Sequence, residues 1–153
     1  DSDQLDQPQS YLAIARDEGA EHVFGGELLE RSTPGHYMNP ALFLAKPEHR
    51  VAREEIFGPV ACVLRADDYD HALAIANDTP FGLCAGICTT SLKHAMHFKR
   101  HADVGMTMVN LPTAGVDFHV PFGGRKGSSY GPREQGRYAA EFYTAVKTSY
   151  VLA

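Results

Sequence analysis

Segments with helical periodicity alternate with short apolar runs along most of this 153-residue chain. One segment carries apolar residues at i, i+3, i+4 and i+7, the spacing of a helix face: Tyr69, Ala72, Leu73 and Ala76. The apolar runs on either side of it, Val60–Arg65 and Cys84–Thr89, are typical of strands. This alternation predicts βαβ units, and hence an α/β fold with a largely parallel open sheet and flanking helices.

Other elements follow from the same reasoning. A helix is predicted over Pro8–Glu18, because proline suits the first position of a helix. Strands are predicted over His22–Phe24 and Val104–Val109. Either Thr90 or Ser91 caps another helix. The apolar face of that helix is expected at Leu92, Ala95 and Met96.

The pattern changes after Asn110. Residues Leu111–Pro132 have no convincing periodicity, and a loop of that length in a compact domain is usually functional. A helix is predicted over Pro132–Phe142. Residues Ala145–Leu152 alternate between apolar and polar, which predicts a half-buried terminal strand that pairs with a sheet or with a partner chain.

Charge and composition exclude several classes of protein. Lysine and arginine total 14 against 19 acidic residues, a net charge of −5, whereas nucleic-acid binding needs a basic face. No apolar run reaches the roughly 18 residues that span a bilayer. Neither nucleic acid nor membrane is therefore an expected partner. Three cysteines are too few for a disulfide framework and indicate a reducing compartment, the cytoplasm.

No metal site is expected from the cysteines and histidines. Cys62, Cys84 and Cys88 are interpreted as small core residues, and the last two would lie about 13 Å apart along a strand, too far to share an ion. Three histidines share one predicted helix: His94, His97 and His101. With the neighbouring lysines and arginine, an exposed basic face is favoured there over a metal site.

The segment Pro121–Gly131 is rich in glycine and carries two cations. Its lysine precedes a glycine instead of following it, so a phosphate-binding loop is disfavoured and a tight turn is favoured. Gly127–Gly131 also matches G-x-S-x-G, with Ser129 as a nucleophile. Because no aspartate or histidine follows in the chain, a serine hydrolase is disfavoured.

Two carboxylates and an aromatic residue, Glu54, Glu55 and Phe57, precede the strand at Val60. Adjacent side chains point in different directions, so the two carboxylates are poorly suited to share one substrate. Two interpretations stay open. The segment is a solvated loop, or one carboxylate holds a sugar hydroxyl while the aromatic ring packs beside it.

Taken together, five motifs in order resemble those of the NAD(P)-dependent aldehyde dehydrogenase superfamily, and the resemblance covers essentially the whole chain. The matching segments are Glu54–Val60, Ala76–Leu83, Val109–Asn110 with Pro121–Ser128, Gly131–Gly136 and Tyr143–Lys147. Within that family, Leu111–Gly136 is most similar to the α-ketoglutaric semialdehyde (2,5-dioxopentanoate) dehydrogenases. The resemblance implies oxidation of an aldehyde to a carboxylate with NAD or NADP.

The resemblance also implies roles for individual residues. Glu55 matches the glutamate that accepts hydrogen bonds from the nicotinamide ribose, and Phe57 matches the aromatic residue packed beside it. Phe122 matches an aromatic residue that lines the aldehyde tunnel. For a semialdehyde that carries a carboxylate, His119 or Arg125 is a candidate to meet that group. Leu111–Val120 would be the variable substrate loop, and Asn110 would be structural.

No catalytic residue is expected in this chain, because the family's nucleophilic cysteine and general-base glutamate would lie outside it. Residues 1–143 are expected to form the C-terminal portion of the catalytic domain, and residues 144–153 an oligomerisation strand for a homo-oligomer. The cofactor would bind only together with the missing domain, and the chain alone would be inactive. The alternative is a dehydrogenase-derived assembly or binding module without catalysis.

Overall fold

The computed structural model describes every residue, Asp1–Ala153. Its helices are α1 (Ser2–Asp17), α2 (Arg50–Arg53), α3 (Tyr69–Asn77), α4 (Leu92–His101) and α5 (Ala139–Tyr143). Its strands are β1 (Glu21–Phe24), β2 (Ala41–Ala45), β3 (Val60–Leu64), β4 (Cys84–Ile87) and β5 (Met106–Val109). The chain divides into two compact units, Asp1–Asp67 and Asp68–Ala153. No helix has both the length and the apolar character that crossing a bilayer demands.

In the first unit, α1 packs against a three-stranded sheet with the order β1-β2-β3. β1 runs antiparallel to β2, and β3 runs parallel to β2, with Phe43 opposite Cys62. Phe43 is fully buried. The rest of this core comes from α1, α2, β2 and the loops beside the strands: Leu12, Ala15, Ala20, Ala41, Val51 and Ile56.

The start of α1 corrects a prediction. The helix begins at Ser2, and Pro8 lies inside it instead of at its first position. Asp1 caps the helix, because its carboxylate accepts the backbone N–H of Gln4 at 2.9 Å. An interior proline removes one helical hydrogen bond. The Pro8 ring is completely buried, and this packing offsets that loss.

In the second unit, β4 and β5 pair in parallel, with Cys84 opposite Met106. The small core beside them consists of Phe98, Ala102 and Val104. Leu73 of α3 and Ile87 of β4 pack against this core while remaining half-buried. The helical face predicted for α3 therefore points towards the core but is not sealed by it.

The alternatives for the cap of α4 are resolved in favour of Ser91, whose hydroxyl accepts the backbone N–H of His94 at 3.2 Å. The apolar face predicted for α4 is wrong in part. Leu92 and Met96 are exposed, at 76% and 42%. Phe98 carries the packing of this helix instead.

The helix predicted over Pro132–Phe142 is also wrong in its first half. Only a 3-10 turn at Gly136–Tyr138, followed by α5, is helical. Gln135 (φ 67°) and Gly136 (φ 55°) are both left-handed, which a right-handed helix cannot accommodate. A Cβ at Gly136 would lie 2.5 Å from the carbonyl oxygen of His119, so this close approach requires glycine.

The strand predicted over Ala145–Leu152 does not form within this chain. Residues 144–153 have no regular secondary structure and are exposed throughout. Val146, Tyr150 and Leu152, predicted to share a buried face, are 97%, 95% and 101% exposed. The alternating pattern therefore lacks a partner strand among the residues described here.

The α/β class is confirmed by the order of helices and strands. The predicted parallel pairing holds for β2 with β3 and for β4 with β5. The strand predicted at His22–Phe24 forms as β1, but its antiparallel direction was not predicted. The three cysteines are free thiols. Cys62 and Cys84 are partly buried, but Cys88 is exposed, so its placement in the core is wrong. Burial raises the pKa of the Cys62 thiol.

Candidate functional site

The loop between α2 and β3 presents two predicted site residues to solvent. Ile56 is buried in the core of the first unit, while Glu55 and Phe57 on either side of it are exposed. Phe57 is 74% exposed, which is unusual for a large aromatic side chain. The buried isoleucine thus fixes a loop whose carboxylate and aromatic ring both face outward.

Glu54 and Glu55 differ sharply in their surroundings. Glu54 accepts two hydrogen bonds at 2.9 Å from the Arg50 guanidinium and one at 2.7 Å from the Tyr11 hydroxyl. The hydrogen bonds from Arg50, and then that from Tyr11, lower the pKa of the Glu54 carboxyl. The Glu55 carboxylate makes no hydrogen bond or ion pair within the chain. Glu54 therefore has a structural role, linking Arg50 and Tyr11, and the carboxylate of Glu55 is available to a ligand.

Helix α1 holds the backbone of this loop. The side-chain amide of Gln4 donates to the carbonyl of Phe57, and that of Gln7 donates to the carbonyl of Glu55 at 3.4 Å. Phe57 has a φ of 53°, a left-handed conformation that costs roughly 1–3 kcal/mol for such a side chain. The contacts from α1 supply the restraint that keeps this strained residue in place.

In the second unit, the glycine-rich segment Pro121–Gly131 folds as a packed turn. Phe122 pairs with Glu134 in a short antiparallel bridge, with N···O distances of 2.7 and 2.9 Å. A Cβ at Gly105 would lie only 1.8 Å from the carbonyl oxygen of Gly123, so two backbone segments touch here. This contact accounts for glycine at a position just before β5.

The cations of this turn already have partners. The Lys126 ammonium donates to the carbonyl of Asn77 at 3.0 Å and lies 3.7 Å from an Asp103 carboxylate oxygen. Arg125 lies 3.3 Å from the other oxygen of Asp103. The Ser129 hydroxyl accepts the backbone N–H of Gly124 at 2.6 Å. These contacts fit the predicted tight turn, and they give the serine a structural task.

A cleft of about 360 Å³ separates β5 from the loop that follows it. The residues that line it are Met106, Thr107, Met108, Leu111, Pro112, Ala114, Gly115, Val116, Asp117, Val120 and Pro121. The predicted substrate loop Leu111–Val120 thus forms one wall. His119, Phe122 and Arg125 are close in sequence but do not line this cleft. Phe122 is half-buried, and the other two are exposed.

Asn110 has the structural role that the resemblance implied. Its side chain accepts the N–H of Thr89 at 2.8 Å and donates to the carbonyl of Thr89 at 2.9 Å. The amide therefore links the end of β5 to the segment that follows β4. Its φ of 57° suits asparagine, which tolerates the left-handed region better than most residues.

The motifs did not indicate which backbone positions are strained. The four left-handed residues other than glycine are Phe57, Asn110, Lys126 and Gln135. Each lies in one of the five motifs, and such residues often mark functional sites. Three of them directly precede a glycine, a signal that the sequence does carry.

Both predicted cofactor residues lie in the first unit, and the three predicted substrate residues lie in the second.

The family model described as "Aldehyde dehydrogenase family" matches residues 1–149. The chain belongs to the aldehyde dehydrogenase family. The alpha-ketoglutaric semialdehyde dehydrogenase of Bacillus subtilis (strain 168) is 43% identical over 151 residues, which are 97% of this chain and 31% of that protein. The 2,5-dioxopentanoate dehydrogenase of Saccharolobus solfataricus is 34% identical over 98% of this chain and 31% of its own length.

Solved aldehyde dehydrogenase structures confirm the fold. The Mycobacterium tuberculosis aldehyde dehydrogenase complexed with NAD+ superposes with a TM-score of 0.87 at 30% identity, over 99% of this chain and 32% of that one. This aldehyde dehydrogenase chain thus spans about three tenths of the length of the relatives that it matches. Its resemblance to the semialdehyde dehydrogenases, expected from the motifs, is confirmed by those two relatives.

Proposed function

We propose that this chain is the C-terminal part of an NAD(P)-dependent aldehyde dehydrogenase that oxidises a semialdehyde, such as α-ketoglutaric semialdehyde, to a carboxylate. The observation that carries the proposal is the pairing of an unpartnered carboxylate, Glu55, with an exposed, strained aromatic residue, Phe57. The identity to two semialdehyde dehydrogenases supports the substrate class.

In this proposal Glu55 accepts hydrogen bonds from the hydroxyls of the nicotinamide ribose, and the Phe57 ring packs beside the same sugar. A free carboxylate and an exposed ring fit these tasks, since charge-assisted hydrogen bonds to hydroxyls are strong. NAD+ or NADP+ would accept the hydride of the aldehyde when bound. The proposed contacts involve only the nicotinamide ribose, which NAD and NADP share, so both dinucleotides fit them.

The proposed substrate residues are Phe122, His119 and Arg125. Phe122 would line the aldehyde tunnel, and the loop Leu111–Val120 would shape its entrance. His119 or Arg125 would meet the distal carboxylate of a semialdehyde. The Arg125 guanidinium already lies 3.3 Å from the Asp103 carboxylate. To bind the semialdehyde it would therefore have to contact both carboxylates or leave Asp103.

The nucleophilic cysteine and the general base are proposed to lie outside this chain, and the chain alone is proposed to be inactive. Cys62 has a raised pKa because of burial, which disfavours the reactive thiolate. We place the enzyme in the cytoplasm as a homo-oligomer that assembles through residues 144–153.

A chimera tests the proposal. This chain would replace the homologous C-terminal segment of the Bacillus subtilis relative, and formation of reduced nicotinamide would be followed with a panel of aldehydes. Turnover of a semialdehyde is expected, with no turnover by this chain alone. Glu55→Gln should raise the KM for the dinucleotide about tenfold, since one charge-assisted hydrogen bond is weakened. Glu54→Gln is the matched control and should leave that KM within about twofold.

A second candidate is an assembly or binding module without catalysis, and the fully exposed apolar C-terminal segment favours it. A chimera that folds and oligomerises but shows no dehydrogenase activity would support the module. Equal effects of Glu55→Gln and Glu54→Gln on the KM would contradict the assigned ribose contact.

A further inference from the structure

His49 is the only buried polar or charged residue of the chain, and the proposed dehydrogenase chemistry does not use it. It directly precedes α2. Its Nδ1 atom accepts the backbone N–H of Lys46 at 3.3 Å, while its own backbone N–H donates to the Lys46 carbonyl at 3.1 Å. Because a backbone N–H can only donate, this ring is neutral and carries its proton on Nε2.

A second proton on the His49 ring would break this contact. The new Nδ1–H would face the N–H of Lys46, so two donors would meet and the backbone N–H would lose its acceptor. A buried donor without a partner and a buried positive charge are both unfavourable. Since histidine changes its charge between about pH 5 and 8, acidification within that range favours an open form in which the ring reaches water.

The charged groups around His49 do not replace the lost contact. Its ring makes no hydrogen bond or ion pair with a carboxylate. The Glu18 carboxylate of α1 accepts the backbone N–H of Arg50 at 2.7 Å, and the Glu54 carboxylate is held by the Arg50 guanidinium. Strands β2 and β3 carry no charged side chain, and the Cys62 thiol donates to a backbone carbonyl of α2 at 3.7 Å. Three cations and one acid remain in the turn and in α2: Lys46, Arg50, Arg53 and Glu48. This local excess of positive charge opposes a further cation.

Helix α2 connects His49 to the loop that carries Glu55 and Phe57. The guanidinium of Arg50 donates two hydrogen bonds at 2.9 Å to the Glu54 carboxylate. The backbone N–H of Glu54 donates to the Arg50 carbonyl, also at 2.9 Å. Opening of α2 would break these bonds and free the segment that leads to Glu55.

We propose that His49 is a pH-sensitive contact whose protonation opens α2 and loosens residues 54–57. Its consequence for the dinucleotide, weaker binding at lower pH, rests on the proposed function of Glu55.

Nuclear magnetic resonance of the 15N-labelled chain tests the contact. At about pH 7.5 the His49 ring should be the neutral Nε2–H tautomer. Amide exchange at Lys46 and Glu54, corrected for the intrinsic rate, measures the opening equilibrium. That equilibrium should rise about fivefold between about pH 7.5 and 5.5, because the open form accepts a proton near pH 6.5 that the closed form resists. The lowered pKa of Glu54 keeps its carboxyl ionised throughout this range.

His49→Asn keeps an oxygen that can accept the Lys46 N–H but cannot titrate, so its opening equilibrium should change less than about twofold over the same range. The matched control is His36→Asn, which removes an exposed histidine of the same unit and should keep the parental response. Far-UV circular dichroism checks folding, and His49→Gln replaces His49→Asn if the asparagine variant is not folded. In the chimeric enzyme, the KM for the dinucleotide should rise on acidification, and His49→Asn should reduce that rise.

An Nδ1–H tautomer, an opening equilibrium independent of pH, or a parental response in folded His49→Asn would overturn the proposal. The same pH dependence of the KM in the parental and His49→Asn chimeras would overturn the connection between α2 and the cofactor. A response that His49→Asn abolishes, together with an unchanged KM in the Glu55→Gln chimera, would contradict the ribose contact and leave the pH-sensitive contact in place.

Discussion

Glu54 and Glu55 are neighbours of the same chemistry to which the fold gives different tasks. Arg50 and Tyr11 occupy the Glu54 carboxylate with three hydrogen bonds, and the side chain of Glu55 has none. The sequence alone left open whether this segment was a solvated loop or a sugar-binding carboxylate. The sequence could not show that Arg50, one helical turn before Glu54, pairs with Glu54 and leaves Glu55 without a partner.

The hydrogen bonds at Glu54 have a consequence for acid stability. Its folded pKa lies below its ordinary value of 4.5, mainly because of Arg50. A group of this kind stabilises the fold above its unfolded pKa, and the contribution disappears as pH falls through the lower, folded value. Glu54→Gln should therefore lower the free energy of unfolding near pH 7, with the difference from the parent chain disappearing as the pH falls through the lowered, folded pKa.

Urea unfolding at a series of pH values measures this difference. Tyr11→Phe is the comparison, because it removes only the smaller of the two hydrogen-bond contributions to the lowered pKa of Glu54 and should lose part of the same pH dependence. A stability difference between Glu54→Gln and the parent that stays constant from about pH 7 to about pH 3 would contradict the assignment.

At the scale of elements, the sequence predicted the helices and strands whose formation depends on interactions within a few residues. The strands around Val60 and Cys84 and the helix that begins at Tyr69 are confirmed, because apolar periodicity and caps act over a few residues. Pro8 was misplaced because its position depends on burial in a core assembled from distant segments. The helix predicted from Pro132 fails at Gln135 and Gly136, where pairing of Glu134 with Phe122 imposes another backbone path.

The cap of α4 is a prediction that belongs to this scale. The Ser91 hydroxyl accepts the N–H of His94, whereas the exposed Thr90 side chain makes no hydrogen bond. Ser91→Ala should reduce the free energy of unfolding by about 1 kcal/mol, because an N–H at the helix start loses its partner. Thr90→Ala, the neighbouring control, should change it by less than about 0.5 kcal/mol. Amide hydrogen exchange in α4 would show whether the loss is local, and equal effects of the two variants would contradict the cap.

At the scale of the whole molecule, the predicted functional residues fall in two units of the chain. The motifs located the candidate site residues, since motifs record chemistry at particular positions. They could not show that Arg125 already pairs with Asp103, or that His119 lies outside the cleft beside β5. Those facts depend on packing between segments that are remote in sequence.

The last ten residues carry apolar side chains that only a partner strand could bury. Val146, Tyr150 and Leu152 alternate with polar residues and are almost completely exposed. As a strand, this segment would place those three side chains on one face, and burial of each against a partner would contribute about 1.5–3 kcal/mol. In the chimeric enzyme, Val146→Asp combined with Tyr150→Asp should therefore weaken assembly by well over about tenfold.

Light scattering coupled to size-exclusion chromatography measures that assembly as a molar mass across a dilution series. Ala145→Asp combined with Ser149→Asp is the matched control, because it adds the same two negative charges to the opposite face of the strand. That control should keep the parental mass, since a face directed to solvent accepts charge at little cost. Equal dissociation of both double variants would mean that added charge, and not loss of an apolar face, disrupts the oligomer. An unchanged mass in both would remove residues 144–153 from the interface altogether.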